Sequence, residues 1–484
     1  MEQSQLIELV RTLNAAEKEQ ILQFARIPFI NNGKMKAFVP MLLEICFDHS
    51  WQNSEITLDK KTVFSSLFPD QSFVEGKLDK IMAETHKVVK TTLLVSHYLR
   101  DENEFQLGYD YAEIVRRKGL ESRHSHLLAK LQKFQDASDF KNSKHYSQQL
   151  LLENAVHELE CYYNQKRGDL NVPRLLQVLE VNYNIQRLSV LNRFLLQQKT
   201  SKIEVPEYIK AQLGENWLPV NHLEDSAVLR SNNAILNLLK KEQPDPSDVR
   251  LLFALLQQEE KNLDQENLQE FYTYLRNICI LVLSSDIENF ELEKTLNELY
   301  KDNLLRGYLH YEGKLHPSRY WAVSSIAIRV KDYDWAIKFI EDYKNDLIGE
   351  NDSHDIYRLN LANYLFSVGR FSECLDNIPA SSPFVDYMLT GKRIELKAYY
   401  ELNSELLSYK LEAFKVFLSR TSPKLLSDAQ KQSHLDFANL LTQIFVSIPG
   451  DPKRSELLTK RIQERKQAAE WRWLLEKAKA LKTT

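Results

Sequence analysis

Apolar and small residues recur every three to four positions along most of this chain. Between Phe73 and Leu99 they fall at Val74, Leu78, Ile81/Met82, Thr85, Val88/Val89 and Val95, a spacing that gathers them on one face of a helix. The stretch from Pro173 to Gln198 repeats the pattern at Leu175, Val178/Leu179, Ile185, Leu188 and Leu191/Leu195. Its leading proline suits a first helical turn, where the missing N–H would have no partner anyway. No segment sustains the two-residue alternation of a half-buried strand bounded by hairpin turns. The one Asn-Gly pair, Asn32-Gly33, sits between two helical patterns. The pattern predicts an all-α fold.

Turn residues divide the helices into three parts. Residues 1–100 read as an N-terminal helical module, broken at Pro28, Gly33 and Pro69. Residues 101–310 read as an array of long-helix hairpins, with turns at Gly119, Gly168-Asp169, Gly214 and Pro244-Asp245-Pro246. In residues 311–484 the chain repeats itself. Tyr320-Trp321-Ala322 leads to Lys331-Asp332-Tyr333 and Ala336; Asn360-Leu361-Ala362-Asn363 leads to Gly369-Arg370-Phe371 and Cys374; Glu395 to Tyr400 leads to Asn403. The turn positions Lys331, Gly369 and Asn403 are 38 and 34 residues apart. A small residue lets the helices of a hairpin approach, an aromatic fills the corner above the turn, and glycine or asparagine tolerates the left-handed conformation that ends a helix. The second helix of the third copy departs from this pattern at Ser408 and Glu412.

These segments resemble tetratricopeptide repeats. The resemblance implies a helical-hairpin repeat solenoid over the C-terminal part, closed by a capping helix whose stripe is Trp471, Leu474, Leu475 and Ala478. The whole chain also resembles a family of bacterial helical-repeat proteins of similar length. That resemblance rests on Ile27-Pro28-Phe29-Ile30-Asn31-Asn32, Val63-Phe64-Ser65-Ser66-Leu67-Phe68-Pro69 and Glu470-Trp471-Arg472-Trp473-Leu474-Leu475. It implies a fold and no reaction.

Composition supports the helical reading. Twelve glycines in 484 residues is about a third of ordinary usage, too few for the tight turns and phosphate loops of a doubly wound α/β fold. No proline falls between Pro69 and Pro173. A net charge of −4 provides no global field for nucleic acid or an anionic membrane. The four cysteines, Cys46, Cys161, Cys279 and Cys374, form no paired motif and read as buried thiols of a reducing compartment. Met1-Glu2-Gln3-Ser4-Gln5 lacks a signal-peptide pattern, and the longest apolar run, Ile278 to Leu283, is far short of the roughly 20 residues that span a bilayer. A cytoplasmic protein without cofactor or metal is expected.

Candidate chemistry is sparse. The Gly-Lys pairs at 33, 76, 313 and 391 lack both the upstream glycine and the following Ser/Thr of a phosphate-cradling loop. His124 and His126, two apart, point to different sides of a helix. His157 and Cys161, four apart, share a face and read as packing residues. Glu259-Glu260 reads as a solvated face. Lys60 to Phe68 followed by Phe73 to Leu99 outlines a helix-turn-helix, but Lys77, Lys80, Lys87 and Lys90 are diluted by Glu75, Asp79 and Glu84, with no arginine before Arg100. Residues 451–484 carry ten Lys/Arg against five Asp/Glu.

In tetratricopeptide arrays the first helices of successive repeats line a concave groove. The resemblance places Trp321 and Ser325, then Asn360, Asn363 and Phe366, then Arg393, Lys397 and Tyr400 in such a groove. Asparagines bind a peptide backbone, and an Arg/Lys pair four apart takes a carboxylate. The expected function is a non-enzymatic scaffold that holds an acidic protein or peptide segment. The alternative is a DNA-binding regulator with an N-terminal helix-turn-helix and a peptide-sensing repeat domain.

Overall fold

In a computed structural model 76% of the described residues are helical, nearly all of them in 23 α-helices. These are residues 1, 3–48, 59–163, 170–201, 204–213, 226–284, 289–311, 313–348, 353–380, 384–422 and 424–482. The turn signals at Gly168-Asp169 and Gly214 lie outside the described residues. The chain forms two compact units, 1–184 and 185–484. The module at 1–100 lies within the first, the segment 311–484 within the second, and the 101–310 array is divided between them.

The first unit opens with α1 (Gln5–Thr12), α2 (Ala15–Ala25), α3 (Val39–Phe47), α4 (Lys60–Leu67) and α5 (Lys77–Tyr98). Side chains close their ends: Asn14 and Glu17 form a reciprocal capping box on α2, and Asp59 accepts from the first amides of α4. The stripe read from the sequence becomes the buried face of α5, from Leu78 through Ile81, Met82, Thr85, Val88 and Val89 to Thr92. Val74 precedes the helix and is exposed. That face packs against α1, α2 and α3, so α5 is the central helix of the N-terminal core. A second cluster joins α6 (Glu104–Arg117), α7 (Glu121–Asp136) and α8 (Ser143–Tyr163) through Phe105, Ala112, Leu128, Leu131, Leu152 and Ala155. Helix α9 (Val172–Ser201) carries the chain across the unit boundary.

The second unit continues with α10 (Glu207–Leu213), α11 (Ala227–Lys240), α12 (Pro246–Glu259), α13 (Gln265–Ser284) and α14 (Phe290–Leu305). A two-residue hairpin, β1 (His310–Tyr311) with β2 (Lys314–Leu315), follows around Gly313 and was not visible as alternation because each strand is so short. Then come α15 (Pro317–Arg329), α16 (Tyr333–Asp342), α17 (Ser353–Ser367), α18 (Phe371–Asn377), α19 (Val385–Glu401), α20 (Leu406–Arg420), α21 (Asp428–Phe445), α22 (Pro452–Gln463) and α23 (Trp471–Ala480). From α11 to α23 helices adjacent in sequence pack on each other, and α15, α17 and α19 also pack successively.

All three turn positions read from the sequence are left-handed: Lys331 at φ 63°, Gly369 at 80° and Asn403 at 51°. Each turn closes with the same pair of backbone hydrogen bonds. Asp332 N–H donates to Ala327 O and Lys331 N–H to Ile328 O; the pairs at Arg370/Gly369 and Ser404/Asn403 repeat this. That is the six-to-one and five-to-two bonding that satisfies the last carbonyls of a helix. Ala336 and Cys374 are buried five residues after the turn. In the third copy the buried set is Leu407, Leu411, Phe414 and Leu418, while Ser408 is exposed. Its second helix is thus phased one residue earlier, which is why Ser408 and Glu412 broke the motif.

These turns give a direct test. Lys331→Gly is expected to stabilise the second unit by up to about 1 kcal/mol, and Gly369→Ala to destabilise it by about as much, because only glycine adopts a positive φ without a Cβ penalty. Urea midpoints of the two variants moving in the same direction would reject this account.

Candidate functional site

The site begins with Arg393 and Lys397 on α19. Four residues apart, they project from one face, as their spacing requires. The structure brings a carboxylate to them from the same chain. Glu470, at φ 56° in the turn before α23, accepts from Arg393 Nε at 3.1 Å and from Lys397 Nζ at 2.8 Å. Burial alone would raise the Glu470 pKa, but Lys397 and then Arg393 overcome this and hold it down at about 2. Lys397 also lies 4.6 Å from the ring centre of Phe366 and 5.9 Å from that of Trp473, so its ammonium is held between aromatic faces. Tyr400 meets Trp473 edge-on at 5.4 Å. The indole N–H of Trp473 donates to Glu401 at 3.2 Å.

The carboxylate and apolar side chain expected of a partner therefore come from Glu470 and Trp473. Sequence had marked both only as part of a family motif. Beside them, His434 on α21 is buried, with Nδ1 3.5 Å from Arg393 Nη1. Burial and then Arg393 lower its pKa to about 4. The α23 segment is anchored below by Leu474 and Ala478, which are fully buried in a cluster with Leu441, Leu458 and Ile462.

Asn360 requires a correction as a groove residue. It is fully buried and accepts from Ser324 Oγ at 2.5 Å while its amide donates to Ile356 O at 2.7 Å. It ties α17 to α15 and offers nothing to a ligand. Trp321 and Phe366 are partly buried against Leu359, Ala362 and Leu365. Asn363 is half-buried, and no hydrogen bond engages its side-chain amide among the described residues.

Ser325 lines a cavity of about 210 Å³ with an apolar floor of Ile280, Leu283, Leu296, Ala322 and Ile326. At Leu283 and Arg329 this cavity adjoins a wider cleft of about 640 Å³, whose far wall is Lys466, Glu470, Trp471, Arg472 and Trp473. Ser325 Oγ and Arg472 Nε are both buried there without a hydrogen-bond partner among the described residues. Such atoms have lost water without gaining a replacement. Arg329 pairs with Glu293, and the Arg472 guanidinium lies 5.5 Å from the Trp471 ring centre. The arrangement is an apolar trough with a cationic and aromatic rim. Of its lining only Ser325 is among the expected groove residues; Leu283, Arg329 and Arg472 come from three separate segments that no local pattern connects.

The other sequence candidates resolve as follows. In the first unit, His157 Nδ1–H donates to Leu170 O at 2.7 Å, which turns Nε2 toward Cys161 Sγ at 3.5 Å. Cys46, Cys279 and Cys374 are buried, and burial pushes each thiol up to about 12. His124 is buried with its pKa lowered by burial. No group of three His, Cys, Asp or Glu side chains among the described residues is arranged to hold a metal. Glu259 and Glu260 are paired with Arg230 and Arg306. In the helix-turn-helix outline, Lys77 sits 3.7 Å over the Phe68 ring and donates to Gln71, and Lys60 pairs with Asp79 at 2.6 Å. No helix among the described residues is long and apolar enough to cross a membrane. No protein-family model, curated protein or solved structure matches the chain.

Proposed function

We propose that this chain is a non-enzymatic interaction scaffold whose helical hairpins stack as tetratricopeptide-like repeats and hold an acidic partner segment in the trough at Leu283 and Arg329. The observation that carries this reading is the trough itself. Its floor takes apolar side chains, and Ser325 and Arg472 add a hydroxyl-bearing and a cationic side chain to its lining. Arg472 and Lys466 on the rim favour a segment bearing carboxylates. Arg393, Lys397 and Tyr400 support the rim from behind through Glu470 and Trp473, rather than touching the partner.

The test is affinity purification of the tagged protein beside the Ser325→Tyr/Arg472→Glu double variant. Tyrosine fills the small cavity and glutamate reverses the rim charge. A partner bound by the parent is expected to be depleted at least tenfold from the variant, about the effect of losing roughly 1.4 kcal/mol of binding. A partner retained at parental level would remove the trough from the interface. Retention on DNA that falls steeply with salt would move the function to the N-terminal module.

A further inference from the structure

A second feature of the second unit lies away from that trough. Arg276 on α13 is 4% exposed and has no carboxylate partner among the described residues. Its guanidinium donates to Asn303 Oδ1 and, at 2.8 Å, to Thr273 Oγ1, and lies 5.9 Å from the Tyr300 ring centre. These neutral groups engage both terminal nitrogens but leave its charge uncompensated, a costly state for a core. Arg319, the third residue of α15, is half-buried. It donates to Leu309 O at 2.7 Å and also has no carboxylate partner among the described residues. Burial and the nearby Arg319 both lower the Arg276 pKa, to about 10, which still leaves it charged at neutral pH. The field of the buried Arg276 adds to that of Arg319, the one of the two that reaches a cleft, and favours an anion there.

Arg319 opens into a cleft of about 640 Å³ between the end of α9, α13 and α15. Thr273 and Asn277 line the same cleft, and no hydrogen bond engages the Asn277 side-chain amide among the described residues. Further back along α13 the cleft wall becomes acidic, with Glu266 and Glu270, the latter 3.7 Å from Arg193. At 1.5 Å rise per residue, Glu270 lies about 10 Å from Asn277 along the helix axis. The cleft thus has a cationic end at Arg319 and, at a fixed separation, an end where Glu266 and Glu270 outnumber Arg193. A polyanion long enough to reach both would be repelled at the second.

We propose that this cleft binds a small zwitterion of the basic amino acid class, its carboxylate on Arg319 and Asn277, its side-chain cation at Glu266 and Glu270. This site is independent of the partner trough, and its test does not require a partner.

The experiment is calorimetric titration of the full chain with four probes: L-arginine, agmatine, norleucine and succinate. L-Arginine has both charges at the right spacing, agmatine lacks the carboxylate, norleucine lacks the side-chain cation, and succinate lacks any cation. L-Arginine is expected to bind at least tenfold more tightly than each of the others. Arg319→Gln is expected to reduce its affinity at least tenfold while the helical circular dichroism is retained. Asn277→Asp supplies an internal counter-ion, so it is expected to abolish binding and raise Tm. Equal affinity for L-arginine and agmatine, absence of L-arginine binding, or unaltered binding by Asn277→Asp would each overturn the proposal.

Discussion

Glu470→Ala is expected to destabilise the second unit by about 3 kcal/mol, because it strands Arg393 and Lys397 beside each other without their shared carboxylate. Lys397 is only 9% exposed at its side chain and Arg393 19%, so water replaces the lost partner poorly. Two effects are separable at this position. Glu470 holds φ 56°, which penalises any residue with a Cβ. Glu470→Gly therefore removes the same ion pairs but relieves the backbone, and should be less destabilising than Glu470→Ala by about 1 kcal/mol. Urea unfolding monitored at the tryptophans reads both, since Trp471 and Trp473 follow the position within three residues. An alanine variant within about 1 kcal/mol of the parent would show that the ion pairs contribute little.

The second large effect is loss of stability in acid, in two steps. His434 titrates near 4 in the folded protein and near 6.5 when unfolded. Between those values the unfolded chain binds the extra proton, so unfolding free energy rises with pH there and falls as pH drops from 6.5 to 4. The shift corresponds to about 3 kcal/mol at most. Glu470 then acts at lower pH. Its folded value of about 2 lies below its ordinary 4.5, so its stabilising contribution is complete above 4.5 and is lost as pH falls toward 2. Their surroundings set these directions: burial and then Arg393 oppose a charge on His434, while Lys397 and then Arg393 favour one on Glu470 against the effect of its burial. His434→Gln should flatten the stability profile between pH 6.5 and 4 and leave the lower step in place. A profile as steep in the variant as in the parent would assign the upper step to another group.

The parts of this structure that were legible in the sequence are those written in local chemistry. Lys331 and Gly369 could be found because a left-handed helix stop leaves a fixed offset to the next aromatic and small residue, and Asn403 because asparagine tolerates that conformation after a helix of matching pattern. The α5 face could be read because seven buried positions at helical spacing leave little ambiguity. What was not legible depends on distant parts of the chain. Arg393 and Lys397 advertised a carboxylate seat, yet nothing in their neighbourhood reveals that Glu470 fills it. Asn360 lies between Leu359 and Leu361, and periodicity alone does not tell a solvent-facing amide from one bridging two helices. Arg276 is the sharper case. A charged residue in an apolar stripe is read as surface, and only the structure reveals that it lies inside, among Asn303, Thr273 and Tyr300.

The helix stops at Lys331, Gly369 and Asn403 also have a kinetic consequence. Each joins helices that pack on their sequence neighbours, so little chain must be ordered before a hairpin is rewarded with contacts. The Glu470 clasp is the opposite kind of contact, closing loops of 73 and 77 residues. Hairpins should therefore assemble early, with the clasp added after the folding barrier has been crossed. Losing the clasp would then show almost entirely as faster unfolding, with the refolding rate hardly changed.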